Sequence, residues 1–403
     1  MKYSKVISLY SGAGGLDYGF EAAGFFTSVA VELDHDCCET LRENRPGWAV
    51  IQRDIQEVST AEILSAGGLV RREAAVLIGG PPCQPFSKSG YWATGDAKRL
   101  GDPRAVTISE YLRVLEEALP QSFLLENVEG LGFRGKDEGL NYILQSLEKI
   151  NARQGTSYTA AVRVLNASDF GVPQTRKRLI IVGSRDGSEF RFPRPTHGDA
   201  PPLRPYATAW DAIGGTKVEP SDDLRLRGKW ADLLPSVPEG ENYLWHTERG
   251  GGLALFGWRR RFWNFLLKAA PNRPVWTLQA QPGPATGPFH WENRRFSREE
   301  LARLQTFPAN VRITGSLPVA HRQLGNAVPS LLAEVLARAM AEQFFGAKVE
   351  SEPLLSVRPM TGSPKPAQVP PVPEKYLPMV GVHSPHPGTG LGFGAESRRE
   401  LAG

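Results

Sequence analysis

Ala74-Ala75-Val76-Leu77-Ile78-Gly79-Gly80-Pro81-Pro82-Cys83-Gln84-Pro85-Phe86-Ser87 is the stretch on which the reading of this chain turns. Ala74–Ile78 is a continuous apolar run, the pattern of a parallel strand buried on both faces. The glycines and prolines after it hold a turn in one shape. Cys83 therefore falls just past the strand's C-terminal end, where open α/β sheets bind ligands. A stiff turn that presents one thiol at a sheet's carboxyl edge suits an attacking nucleophile. A lone cysteine is more often a small buried hydrophobe, so the rest of the chain has to decide.

Working outward, strand-like runs recur at Val6–Tyr10, Ser28–Glu32, Ser122–Glu126, Ala160–Leu165 and Leu179–Gly183. Helical periods separate most of them, as at Asp36–Asn44, Arg104–Leu119 and Leu140–Asn151. Strands alternating with helices predict an α/β fold with a doubly wound, mostly parallel sheet over residues 1–183. From about Arg185 the chain turns rich in Pro, Gly, Trp and Arg with few periods, which predicts a smaller inserted unit over residues 184–293. Regular structure returns at Ser297–Phe307 and Pro329–Phe345, a return to the first domain over residues 294–345. In the latter stretch Leu331, Leu332, Val335, Leu336, Ala339, Met340 and Phe344 form one helical stripe that should pack on the sheet. Residues 346–403 abound in prolines and glycines without period and are expected to be disordered.

The composition, 403 residues with 41% hydrophobic and 22% charged, is that of a soluble globular protein with ample length for a core. A net charge of +4 says little about partners. The three cysteines, Cys37, Cys38 and Cys83, form no CxxC pair and stand near no His cluster, so no metal site is expected. Cys37 and Cys38 read as packing residues, and sparse cysteine fits a reducing cytosol. Neither a signal peptide nor a membrane span is expected.

Four further segments carry candidate chemistry. The glycine-rich turn Ser8–Leu16 follows the first strand, where such turns let a ligand approach the backbone; a tight structural turn is the plain alternative. Glu32 ends the second strand, the position that takes ribose hydroxyls in doubly wound folds. Asp54 ends a third, short strand, placed to meet an adenine amine or simply to cap a helix. Glu126 ends an apolar strand, where burial would raise its pKa as a proton donor requires; a surface glutamate at a strand end is common too. Alternation puts Gln174, Arg176 and Arg178 on one face, and guanidiniums suit anionic oxygens, although basic runs are more often solvated. Asn326, just before a helix-starting proline, is either a ligand contact or an ordinary helix signal.

In order and spacing, SLYSGAGGLDYGF, the acid of VELD, RDI, GGPPCQPFS, LLENVEG, QTRKR, RRFSREELARLQTFP and RQLGNAVP resemble the DNA (cytosine-5)-methyltransferase family of bacterial restriction–modification type, from about Val6 to Phe345. The resemblance implies a Rossmann-like methyltransferase fold with S-adenosyl-L-methionine as methyl donor. Its site would be formed by Tyr10, Gly12, Ala13, Gly14, Gly15, Glu32, Leu33, Asp54, Ile55, Pro82, Asn326 and Val328. Tyr10 falls where the family usually has a phenylalanine on the adenine, Ser8 replaces a frequent aspartate, and Leu33 stands where some members have tryptophan. By the same resemblance Cys83 adds to cytosine C6 as thiolate, making C5 nucleophilic. Glu126 binds N3 and the exocyclic amine, Arg178 holds O2, and Arg176 helps fix the nucleotide. The base must leave the duplex first.

Residues 84–101, with Gln84, Ser87 and Ser89, are then expected to close over DNA. The insert becomes a target-recognition domain, and Gln174, Arg259, Arg260 and Arg261 join the DNA contacts. From Arg249 to Arg273 that insert carries six basic residues and no acid, interleaved with Phe256, Trp258, Phe262, Trp263 and Phe265. An amphipathic core helix with a basic exposed face is the plainer account.

Three other functions share some of these features. A tRNA cytosine-5 methyltransferase uses the same motifs, but the sizeable basic insert favours duplex DNA. A catalytically dead DNA-binding regulator typically lacks the cysteine or the glutamate, and both are present. A cysteine hydrolase needs a His placed by motif to activate Cys83, and none is. The expected partner is double-stranded DNA, with no membrane, a monomeric chain, any cognate restriction endonuclease acting separately, and a cytoplasmic location.

Overall fold

The computed structural model describes residues 4–82, 106–132, 138–258, 262–349 and 351–381. Cys83, Gln84, Ser87, Ser89, Arg259, Arg260 and Arg261 lie outside the described residues. The strands are β1 (Ser4–Leu9), β2 (Phe25–Glu32), β3 (Ala49–Gln52), β4 (Val76–Gly79), β5 (Ser122–Val128), β6 (Ala161–Asn166), β7 (Gln174–Thr175), β8 (Lys177–Ser184) and β9 (Val275–Trp276). Seven of them form one sheet in the order β3-β2-β1-β4-β5-β8-β6. The pairs from β3 to β5 are parallel, and β8 runs antiparallel to both β5 and β6. The doubly wound, mostly parallel sheet expected from the apolar runs is the one observed.

Alternation along the strands explains the two main cores. Ile7, Leu9, Leu77, Phe123, Leu125, Leu179 and Ile181 point to one face. There they meet α3 (Thr60–Ala66), α4 (Val106–Ala118) and α5 (Glu138–Gln154). Val6, Val76, Ile78, Leu124, Ile180 and Val182 point to the other face. There they meet α1 (Gly15–Ala22) and, as its apolar stripe predicts, the last helix, α9 (Ser330–Phe345). Both faces are covered, which is why the strands read as largely apolar runs.

A third cluster joins Tyr18, Ala30, Leu41 of α2 (His35–Asn44) and Trp48 to Leu301, Leu304 and Leu324, from α7 (Arg298–Leu304) and α8 (Leu317–Asn326). Ala209 and Ile213 of α6 (Ala209–Ile213), with Val275 and Leu278, complete it. A fourth is built from Trp230, Leu233, Leu234, Val237, Tyr243, Leu255, Phe256, Phe265, Leu266 and Phe289, plus Tyr376. This fourth core lies within the stretch whose sequence lacked periods. It is held by turns and isolated strand pairs rather than by long elements. No helix among the described residues is long and apolar enough to cross a membrane.

The last segment corrects the sequence expectation. Residues 351–381, expected to be disordered, are laid against both parts of the molecule. The buried carboxylate of Glu334 accepts from the backbone N–H groups of Leu354 (2.6 Å) and Leu355 (2.8 Å). Asp211 accepts from Met360 N (2.7 Å), and Trp210 Nε1 donates to Thr361 O (3.0 Å). Lys375 pairs with Asp232. Tyr376, 3% exposed, stacks on Trp230 at 5.7 Å and donates its hydroxyl to Lys229 O (2.6 Å). The segment forms no sheet or long helix of its own; it docks through single side chains and isolated N–H groups, a mode that leaves no periodic trace. Residues 382–403 lie outside the described residues.

Candidate active site

The carboxyl ends of β1, β2, β4 and β5 converge, with the end of α8, on a cavity of about 560 Å³. β1 ends in a turn where Tyr10 takes a positive φ of 55°, and its hydroxyl donates to Thr107 O at 2.7 Å. Gly12 N donates to Glu32 Oε2 at 2.7 Å, while Leu33 N and Asp34 N donate to Oε1 at 2.9 and 2.8 Å. Burial pushes the Glu32 carboxyl up from its ordinary range, and these three N–H groups offset only part of that rise. Asp34 caps α2 and pairs with Arg322, which also reaches Asp36 at 2.8 Å.

At the end of β4 the chain passes close against β5. A Cβ at Gly80 would stand 2.9 Å from Glu126 Oε2, so any side chain there would push on that carboxylate. The buried Asn127 donates to Pro81 O at 3.2 Å and holds the turn. Glu126 itself is opposite Ile180 in the antiparallel β5–β8 pair, which puts Arg178, two residues away, on the same face. Arg178 Nε lies 2.7 Å from Glu126 Oε1. Burial works against the Arg178 charge and Glu126 restores part of it.

Arg176 is fully buried, donating to Leu278 O (3.2 Å) and Gly325 O (2.8 Å), and its Nε has no partner. Burial and then Arg178 push its guanidinium down, against Glu126.

The cavity brings together Tyr10, Gly12, Gly15, Glu32, Leu33, Asp54, Ile55, Pro82, Glu126, Arg176, Arg178, Asn326 and Val328. Asp54 serves both readings given for it: it lines the cavity, and its Oδ1 accepts from Gln56 N as a cap. Leu33 is 64% exposed, an open apolar wall. Two expected donor contacts do not line the cavity. Ala13 packs with Tyr18 in the third core, and Gly14 is the N-cap of α1.

Gln174, expected at DNA, is fully buried. Its Nε2 donates to Gln305 Oε1 (3.0 Å), and its Oε1 accepts from Leu278 N (3.1 Å). The alternation of the segment is right, but its inner face meets protein rather than a partner. Arg322 and Gln305 were missed. Both lie inside quoted motifs, yet nothing in the sequence marks Arg322 as the partner of Asp34 and Asp36, or Gln305 as the link from Gln174 to Leu324.

A family of C-5 cytosine-specific DNA methylases matches residues 4–342. Type II methyltransferase M.SacI of Streptomyces achromogenes is 42% identical over 84% of this chain and 93% of its own. Type II methyltransferase M1.HphI of Haemophilus parahaemolyticus is 32% identical over 83% of this chain and 86% of its own. Among solved structures, a putative DNA modification methyltransferase from an E. coli prophage superposes with a TM-score of 0.60 at 23% identity, covering 85% of this chain and 99% of that one. A Spodoptera frugiperda DNMT2 mutant gives 0.59 at 16%, covering 83% and 99%; at such identities these two speak for the fold alone. The family match runs from β1 into α9, across every strand end that lines the cavity, and on that span the chain belongs to the C-5 cytosine-specific DNA methylases as a type II DNA cytosine-5-methyltransferase.

Proposed function

We propose that this chain transfers a methyl group from S-adenosyl-L-methionine to C5 of a cytosine flipped out of double-stranded DNA, through a covalent bond between Cys83 and C6. The observation that carries this is the single cavity. It is lined at one end by Glu32, Leu33 and Asp54 and at the other by the Glu126–Arg178 pair, with Pro82, the residue before Cys83, on its wall. The residues present fit an adenosine-type donor. A Cβ at Gly12 would meet nothing within 4 Å, so the backbone there borders open ligand space. Glu32 offers carboxylate acceptors, and Tyr10, Ile55 and Val328 offer apolar surface for a purine. S-adenosyl-L-methionine supplies an electrophilic methyl group when bound.

The chain's own residues do the rest. The Cys83 thiolate forms a bond to C6, and the ring electrons shift toward C5 and N3. Glu126 holds the proton on N3 and accepts from the exocyclic amine, while Arg178 donates to O2. Once C5 is methylated, its proton passes to water, the C5–H electrons re-form the C5–C6 double bond, and the Cys83–C6 bond breaks to return the thiolate and the aromatic ring. Arg176 acts as a brace, tying the strand of Arg178 to Leu278 and Gly325.

Residues 184–293 are the target-recognition unit in this reading, and methylation would protect DNA from a cognate endonuclease. Bisulfite sequencing of DNA from cells expressing the chain should reveal one methylated sequence. Tritium from labelled donor should enter duplex DNA and not tRNA; the reverse preference would overturn the assignment of substrate.

A further inference from the structure

Three tryptophans are exposed among the described residues, Trp258, Trp263 and Trp276. Trp263 (47% exposed) and Trp276 (37%) meet edge to face, with centroids 5.6 Å apart and planes at 78°. Both rings stand on fixed backbone. Trp263 O accepts from the buried Asn242 Nδ2 at 2.8 Å. Trp276 pairs with Thr175 in the β7–β9 ladder, and the next residue, Thr277, donates its hydroxyl to Thr175 O at 2.7 Å. Arg176, which lines the cavity, follows Thr175 directly and donates to Leu278 O beside Trp276. An exposed aromatic pair, one ring on a strand and the other on a turn held by Asn242, one position from the strand of Arg178, is a surface awaiting a partner.

Charge says which partner. Three consecutive arginines separate Trp258 from Phe262 in the sequence, and the Arg249 guanidinium lies 4.0 Å from the Trp258 ring centroid. Aromatic faces set among cations suit nucleobases beside phosphates.

We propose that the Trp263–Trp276 pair is a stacking platform for the bases that flank the target cytosine. When the cytosine leaves the stack, the Trp276 indole covers a base face that flipping exposes, offsetting part of the lost stacking. This rests on the function proposed above.

The test uses the full chain with S-adenosylhomocysteine and a duplex carrying the sequence found by bisulfite analysis. Duplex affinity is measured across a salt series for the wild type, Trp263→Ala, Trp276→Ala and Trp276→Phe. Trp276→Ala should weaken binding about 5- to 150-fold, with the slope of log affinity against log salt unchanged. Trp276→Phe should retain most of the affinity, and melting temperature and donor affinity should stay at wild-type values. Unchanged duplex affinity in Trp276→Ala overturns the platform. So does a loss with a shallower salt slope, which marks a phosphate contact, or a loss that travels with melting temperature, which marks a structural role. A wild-type chain that methylates no duplex overturns the function itself, whereas an active wild type with an indifferent Trp276→Ala overturns this inference alone.

Discussion

Arg178 and Glu126 meet diagonally across the antiparallel β5–β8 pair, Nε to Oε1 at 2.7 Å, with side chains only 15% and 12% exposed. Each is the other's charge partner, mostly buried, and both line the cavity. Glu126→Gln, which keeps the volume, should lower methyl transfer by about 10²–10⁴ at saturating donor while leaving donor affinity in place. Glu126→Ala strands the Arg178 charge and should also cost about 3–5 kcal/mol of stability. Denaturant titration and tritium transfer read the two effects separately.

Cys83→Ser should abolish methyl transfer, because a hydroxyl is far less available as an anion than a thiol. Duplex binding should survive, since phosphate contacts carry most of it. With 5-fluorocytosine at the target position, fluorine cannot leave as a cation, and a covalent complex should accumulate on a denaturing gel. An active preparation that forms none would contradict the adduct.

Glu32→Ala should weaken S-adenosylhomocysteine binding by about 1.5–3 kcal/mol, the worth of a charge-assisted hydrogen bond, as read by calorimetric titration. Because Glu32 also accepts from Gly12, Leu33 and Asp34, melting temperature should fall with it. Equal donor affinities for mutant and wild type would remove Glu32 from the site.

Asp17 is fully buried in α1, with Thr27 donating to Oδ1 at 3.0 Å and no partner at Oδ2. Burial pushes its carboxyl up to about 6 from an ordinary 3.8. The folded chain therefore holds this proton more tightly than the unfolded chain. Between the two values it binds more protons, so unfolding free energy falls as pH rises from about 4 to about 6 and levels off above. A gap of that size is on the order of 3 kcal/mol. Asp17→Asn removes the slope, so its stability relative to wild type should improve by that order between pH 4 and pH 7. Parallel curves across the range would show that the group does not titrate there.

Truncation after Gly381 sets the reference melting temperature for a chain that keeps the docked segment. Truncation after Val349 removes Tyr376 from its stack on Trp230 and takes the Leu354 and Leu355 N–H donors from the Glu334 carboxylate, leaving it only Arg338 among the described residues. It should lower the melting temperature sharply, and Tyr376→Ala alone should cost about 3–5 kcal/mol. Two truncations with the same melting temperature would mean that the docked strap contributes nothing.

The sheet was legible because its strands are buried on both faces, so Val76–Ile78 and Phe123–Leu125 read as solid apolar runs and Val6–Leu9 is broken only by Ser8. Most of the cavity was legible because motif residues sit at strand ends, where the fold has to deliver them. Ala13 and Gly14 were carried along with their neighbours, although a turn can face a ligand with only some of its residues. Alternation gave Gln174 the same face as Arg176 but could not say that Gln305 and Leu278 cover it. The strand of Trp276 is two residues long, too short to leave a period. Residues 351–381 touch the rest through isolated groups, and a proline-rich stretch with one buried tyrosine looks the same whether or not it docks.

Tyr376 completes a core whose other buried members all lie between Trp230 and Phe289. If residues 184–293 read the target, as proposed above, the recognition unit is discontinuous in the chain. Exchanging residues 184–293 with those of a relative would deliver a recognition unit missing the ring that closes it, and would leave the recipient's own strap with a mismatched berth. A graft that moves residues 351–381 together with the insert keeps the pair of surfaces that fit one another. On this account, chimeras that carry both pieces should fold and change target, whereas chimeras that carry the insert alone should first lose stability.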